Sequence, residues 1–170
     1  MERISKHISY SEAIHSDTAK KHNIDNTPNG LHLVNMCYIA KNVFEPLREH
    51  FKVPIFISSM FRSLALNKAL KGAKNSQHMA NNGAAMDLDA DRYGNITNTQ
   101  IFNYIKDNLE FDQLIAELEQ NGQPRWIHVS YNEGKNRKQV LIAYKDKFGR
   151  IRYKDYTKEE YNKIYNGKKK

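Results

Sequence analysis

The second half of the chain is a succession of short strand-forming runs separated by turn signals, and this limits the folds open to it more than any other feature. Residues 113–118, 126–131, 139–144 and 151–156 have strand length and are rich in β-branched, aromatic and alternating apolar residues. Asn121-Gly122 and Phe148-Gly149-Arg150 fall between runs as turns. The first half has helical periodicity instead. Leu33, Cys37, Ala40, Phe44, Leu47 and Phe51 recur at three- to four-residue spacing, which predicts a helix over about residues 31–50 with one apolar face. Thr27-Pro28 predicts its cap, with proline at the first helical position, and Pro46 predicts a kink or an early end. Shorter helices are expected over residues 11–22, 63–70 (capped by Ser63, ended by Gly72) and 97–108, and strands over 54–59 and 85–90. Helices first and strands afterwards predict an α+β fold, with helices packed on a central antiparallel β-sheet.

At 170 residues the chain suits one domain with a real core. We expect that core over residues 9–145, with 146–170 a charged C-terminal extension ending in Lys168-Lys169-Lys170. The formal net charge of +8 suits a polyanionic partner, either nucleic acid or an anionic cell envelope. The basic residues are scattered and the aromatics follow strand and core patterns, so no specific nucleic-acid partner is expected. No apolar run approaches membrane-spanning length, and Met1-Glu2-Arg3-Ile4-Ser5-Lys6 has no apolar stretch behind its charges. The expectation is synthesis in a cytoplasm, no membrane insertion and a monomer. Cys37 is the lone cysteine, which excludes an internal disulfide and a cysteine-rich zinc site; its apolar context makes it a core residue.

Three short stretches carry chemistry: Ser76-Gln77-His78, Gly83-Ala84-Ala85-Met86-Asp87 and Trp126-Ile127-His128. Two imidazoles and one carboxylate are a common zinc ligand set that leaves a fourth position for water. Such a metal lowers the pKa of water and polarises a carbonyl, so convergence of the three residues would make the chain a hydrolase. Side chains alternate along a strand, so Trp126, His128 and Ser130 share one face. Asp87 and Asp89 share a face too, which makes Asp89 a rival to Asp87. Ile115, Glu117 and Glu119 share a face of the strand expected to pair with 126–131, which brings a carboxylate near His128 as a general base. The short motif of two histidines one helical turn apart is absent, and a lone strand histidine is more often structural than ligating. His7, His15, His22, His32 and His50 sit in helical or terminal contexts and are assigned to the surface or to caps.

Taken in order, Ile57-Ser58-Ser59-Met60-Phe61-Arg62-Ser63, Leu66-Asn67, Gly72-Ala73, Ser76-Gln77-His78, Gly83-x-Ala85-x-Asp87, Phe111-Asp112-Gln113-Leu114-Ile115-x-Glu117 and Trp126-Ile127-His128-Val129-Ser130 resemble the zinc D-alanyl-D-alanine carboxypeptidases. The resemblance spans about residues 9–144, and includes the single-domain peptidoglycan peptidases of bacteriophages and gut bacteria. It implies one zinc ion held by His78, Asp87 and His128, with Glu117 passing a proton from water to the leaving amine. It implies that Arg62 holds a carboxylate of a peptidoglycan stem peptide, a task suited to the paired donors of a guanidinium. It also implies a hydrogen bond from Ser59 to substrate, a role for Gln77 in ordering the His78 loop, and a phage-type lysin. The alternative is an inactive wall-binding or virion module on the same fold. Two features depart from the pattern. Eight residues separate His78 from Asp87, with Asn81-Asn82 as the insertion, which keeps Asp87 and Asp89 both open as ligands. Arg125 stands three residues before His128, where several branches carry the catalytic acid, which leaves Glu117, with Glu119 behind it. Removal of a terminal D-alanine and internal cleavage both fit this site.

Overall fold

A computed structural model describes residues 1–165 as an α+β fold with helices packed around a six-stranded sheet. The helical half starts with two short helices, α1 (Tyr10–Ala13) and α2 (Asp17–Lys21). The single helix expected over 11–22 is broken there because Ser16 turns extended and its hydroxyl accepts the Ala19 N–H as a new cap. The long helix begins at α3 (Gly30–Ile39), and its cap is Asn29 rather than Thr27. The Asp25 carboxylate takes the Thr27 N–H, while Asn29 and His32 exchange side-chain-to-backbone bonds as a capping box. Pro46 does not end the helix. Ala40–Phe44 widen into a π-helical turn, and α4 (Glu45–Phe51) starts afresh with the proline in its first turn, where no N–H is needed.

The strands are β1 (Phe56–Ser59), β2 (Ala84–Asp89), β3 (Gln113–Gln120), β4 (Gln123–Tyr131), β5 (Gln139–Lys145) and β6 (Ile151–Asp155). Between them lie α5 (Leu64–Ala69), capped by Ser63, and α6 (Asn98–Asn108), capped by a Thr97–Gln100 box; α7 (Lys158–Tyr165) follows β6. The strand order is β1-β2-β4-β3-β5-β6, antiparallel except that β5 runs parallel to β3. The sheet is antiparallel as expected, with that pair the exception. Strand β4 already has β2 and β3 on its two edges, so the chain leaving Tyr131 finds no edge for a hairpin. It crosses through residues 132–138 to the free edge of β3, and Arg137 pins the crossing with two side-chain bonds to the buried Asp112 carboxylate.

Alternation along the strands sorts the two faces of the sheet. Met86, Leu88, Leu114, Ala116, Ile127, Val129 and Ile142 are fully buried in one core with Met36, Ile39, Phe44, Phe102 and Ile105 from the helices. Beyond residue 145 the chain adds β6 to the sheet edge. The Tyr165 hydroxyl of α7 donates to the Ala116 carbonyl. The Lys168-Lys169-Lys170 run lies outside the described residues. No helix among the described residues is long and apolar enough to cross a membrane. The opposite face of the sheet carries the polar and charged strand residues, and the candidate site is there.

Candidate metal centre

Two neighbouring rows of residues cross the open face. In the first, Asp87 of β2 lies opposite His128 of β4, and the row continues through Ile115, Leu141 and Asp155. In the second, Trp126, Glu117, Ala143 and Tyr153 follow one another across β4, β3, β5 and β6. Glycine is needed just before β2: Gly83 has φ of 75°, and a Cβ there would meet the Tyr131 carbonyl oxygen at 2.3 Å.

His78 reaches the first row from a 3-10 turn, Gln77–Met79, rather than from a strand. The Arg62 N–H donates to the His78 carbonyl at 2.9 Å, which ties the turn to the segment after β1. That segment is held by buried Asn26, whose amide donates to the Ile14 and Phe61 carbonyls and whose oxygen accepts the Ser63 N–H at 2.7 Å. The Gln77 amide donates to the Asn82 carbonyl and so links the turn to the Asn81-Asn82 loop.

His78 Nδ1 bonds the Met60 carbonyl at 2.8 Å, which assigns the proton to Nδ1 and aims the Nε2 lone pair at the other two residues. His78 Nε2 lies 3.2 Å from Asp87 Oδ1 and 3.3 Å from His128 Nδ1, and His128 Nδ1 lies 2.9 Å from Asp87 Oδ1. A tetrahedron built on metal–ligand bonds of about 2.0–2.1 Å has edges of about 3.3 Å, so the three atoms have the spacing of a divalent-cation site. The hydrogen bonding points the same way. With His78 Nδ1 committed to Met60, one proton on His128 Nδ1 must serve both Asp87 Oδ1 and His78 Nε2, whereas a divalent cation satisfies all three atoms. Burial pushes the His78 imidazole below its ordinary value against the pull of Asp87, which favours the neutral, ligating form. Burial works to raise the Asp87 carboxyl, but the charge and hydrogen bonds of His78 and His128 outweigh it and hold the acid well below its usual range.

Arg62 is tied to this cluster. Its Nε donates to Ser59 Oγ at 2.9 Å and its Nη2 to Asp87 Oδ2 at 2.8 Å. Ser59 therefore contacts the guanidinium, and Arg62 fixes the carboxylate oxygen that does not face the histidines. Glu117, on the second row one strand from His128, is only 8% exposed. Burial pushes its carboxyl up, His128 pulls it down and Asp87 pushes it up again, to about 7.

The alternatives weighed in the sequence lie elsewhere. Asp89 ends β2 and approaches the Asn98 amide and Asp91, whose carboxyl is pushed up to about 6, chiefly by its hydrogen bond with Asp89. Glu119 Oε1 accepts the Gly122 N–H in the β3–β4 turn. Arg125 lies over the Trp126 ring. Of the other histidines, His32 serves the α3 cap, His7 pairs with Glu45 and His50 stacks on Tyr104. Two clefts, of about 830 and 700 Å³, meet at Arg62, Asp87 and Trp126. The first runs toward Glu12, Phe56 and Leu70, and the second holds His78, His128, Glu117 and Tyr153. The Met60 carbonyl and Tyr153 were missed by sequence reasoning. A backbone oxygen carries no sequence signal, and Tyr153 reaches this face only through the parallel pairing of β5 with β3.

The family model described as Peptidase M15 matches residues 6–130. No curated protein matches the chain.

Proposed function

Because the chain belongs to the peptidase M15 family, metallopeptidases similar to the zinc D-alanyl-D-alanine carboxypeptidases, we propose that it is a zinc-dependent peptidase of peptidoglycan stem peptides or cross-links. His78, Asp87 and His128 hold the ion and Glu117 is the general base. The observation that carries this reading is the convergence of His78 Nε2, Asp87 Oδ1 and His128 Nδ1 on the open sheet face, one strand away from a buried carboxyl. Two nitrogens and one carboxylate oxygen suit zinc. A zinc ion bound there supplies Lewis-acid polarisation of the scissile carbonyl.

The chain's own residues do the rest. Glu117 takes a proton from the attacking water as the water oxygen bonds to the carbonyl carbon. It returns that proton to the leaving amine as the C–N bond breaks. Its burial beside the cluster favours holding that proton between the two transfers. Arg62 orients Asp87 through one N–H and Ser59 through another, and it lies where the two clefts meet, placed for a carboxylate of the substrate. The net charge of +8 favours retention on an anionic wall, and the role assigned is that of a phage-type lysin.

The test is mass spectrometry of purified peptidoglycan digested with the zinc-loaded protein, beside a chelated sample and Glu117→Ala. New peptide fragments that vanish in both controls support the assignment and identify the bond cut. Wall hydrolysis that persists in purified His128→Ala protein overturns it.

A further inference from the structure

The groove beside the candidate base is completed by a strand that lies outside the residues matched by the family model. Strand β6 is an edge strand, and its side chains are distributed unusually. Arg152 and Lys154 lie on the face of the sheet that carries the helices, where they pair with Asp146 and Glu160. Ile151 and Tyr153 lie on the open face, about half exposed, and line the same cleft as His78 and His128. Large apolar side chains exposed on a sheet edge are usually avoided, and next to a candidate site they mark a surface kept for a ligand.

Tyr153 stands in the same row as Glu117, with only Ala143 between them. Two strand spacings separate Glu117 from Tyr153, about 9–10 Å between their backbones. Ala143 presents only a single methyl between them and is itself fully buried. The phenol is pushed up from its ordinary value, first by burial and then by the charges of Glu117 and Asp87, which places it within electrostatic reach of both.

We propose that Tyr153 is a substrate-positioning residue whose ring walls the second cleft and holds the bound peptide against Glu117. The role rests on the peptidase reading above. The role is assigned to the ring rather than to the hydroxyl, because the bulk of this side chain lines the cleft one residue across the sheet from Glu117. The β5–β6 hairpin thus supplies a binding element that the matched residues do not contain.

The experiment measures binding of a synthetic stem pentapeptide to Glu117→Gln protein by calorimetry, with and without Tyr153→Ala or Tyr153→Phe, and steady-state hydrolysis in the Glu117 background. Tyr153→Ala is expected to weaken binding and raise KM by about tenfold, with kcat changed less. Tyr153→Phe should stay within about threefold. Phe148→Ala, at the exposed tip of the same hairpin, should change neither. Circular dichroism checks that the variants are folded; at this exposure the truncation should leave the fold intact. Unchanged binding and KM in Tyr153→Ala, while the parent still cleaves, overturns this inference alone. If the parent neither cleaves wall peptides nor binds the pentapeptide, the peptidase reading falls and this one falls with it.

Discussion

Replacing Glu117 with glutamine should stabilise the metal-free protein at neutral and alkaline pH while abolishing hydrolysis. The carboxyl is 8% exposed and titrates near 7 in the folded chain, against an ordinary value of 4.5. Below about pH 4.5 it is protonated whether the chain is folded or not, and contributes no pH dependence. Between 4.5 and 7 the unfolded chain releases the proton and the folded chain keeps it. Stability therefore falls as pH rises through this window, and the loss is complete above 7. A span of about 2.5 pH units at about 1.4 kcal/mol per unit comes to about 3 kcal/mol. Glutamine has the same shape and no charge to bury, so Glu117→Gln should match wild type near pH 4.5 and exceed it by about 2–3 kcal/mol at pH 8. Urea unfolding of both proteins in chelator, at several pH values from 4.5 to 8, reads this difference directly, because titrations common to both cancel. Adding zinc should shrink the gap, since a nearby cation favours the ionised carboxylate. A difference between the two proteins that stays flat from pH 4.5 to 8 would refute the claim that Glu117 is buried and protonated at the edge of the site.

Other perturbations have equally definite outcomes. His128→Ala removes one of three converging donors, so zinc affinity measured by competition with a chromophoric chelator should fall at least about 100-fold, with loss of wall hydrolysis. Arg62→Lys keeps the charge but cannot reach both Ser59 and Asp87, and hydrolysis should fall about 10- to 100-fold with the far-ultraviolet dichroism unchanged. Asn26→Ala leaves the Ile14 and Phe61 carbonyls and the Ser63 N–H without their partner, and should cost about 2–3 kcal/mol in urea unfolding. Gly83→Ala places a methyl group against the Tyr131 carbonyl at a left-handed backbone position, and should cost more than about 1 kcal/mol by the same assay.

Much of the architecture follows from local pattern. The alternation over 126–131 separates Trp126 and His128 from Ile127 and Val129, and the structure divides them between open face and core in that way. Ser63 caps the helix it precedes, as its position predicts. These features were legible because a cap or a strand face depends on residues within a few positions of one another. The π-helical turn before Pro46 and the shift of the α3 cap to Asn29 were not. Each is a choice between two nearby hydrogen-bonding arrangements that differ little in local energy, and packing decides between them.

By itself the sequence determined an α+β chain with its strands late and its apolar faces assigned. It also determined the residue types able to meet a cation, through the short stretches around His78, Asp87 and His128. Only the tertiary structure decided that Asp87 rather than Asp89 faces the histidines, that Glu117 is buried one strand from His128 while Glu119 serves a turn, and that Tyr153 joins their face. The physical reason is that each of these depends on strand order and register. Pairing β5 with the far edge of β3 brings residues 36 positions apart into one row, and no local propensity encodes a contact of that range.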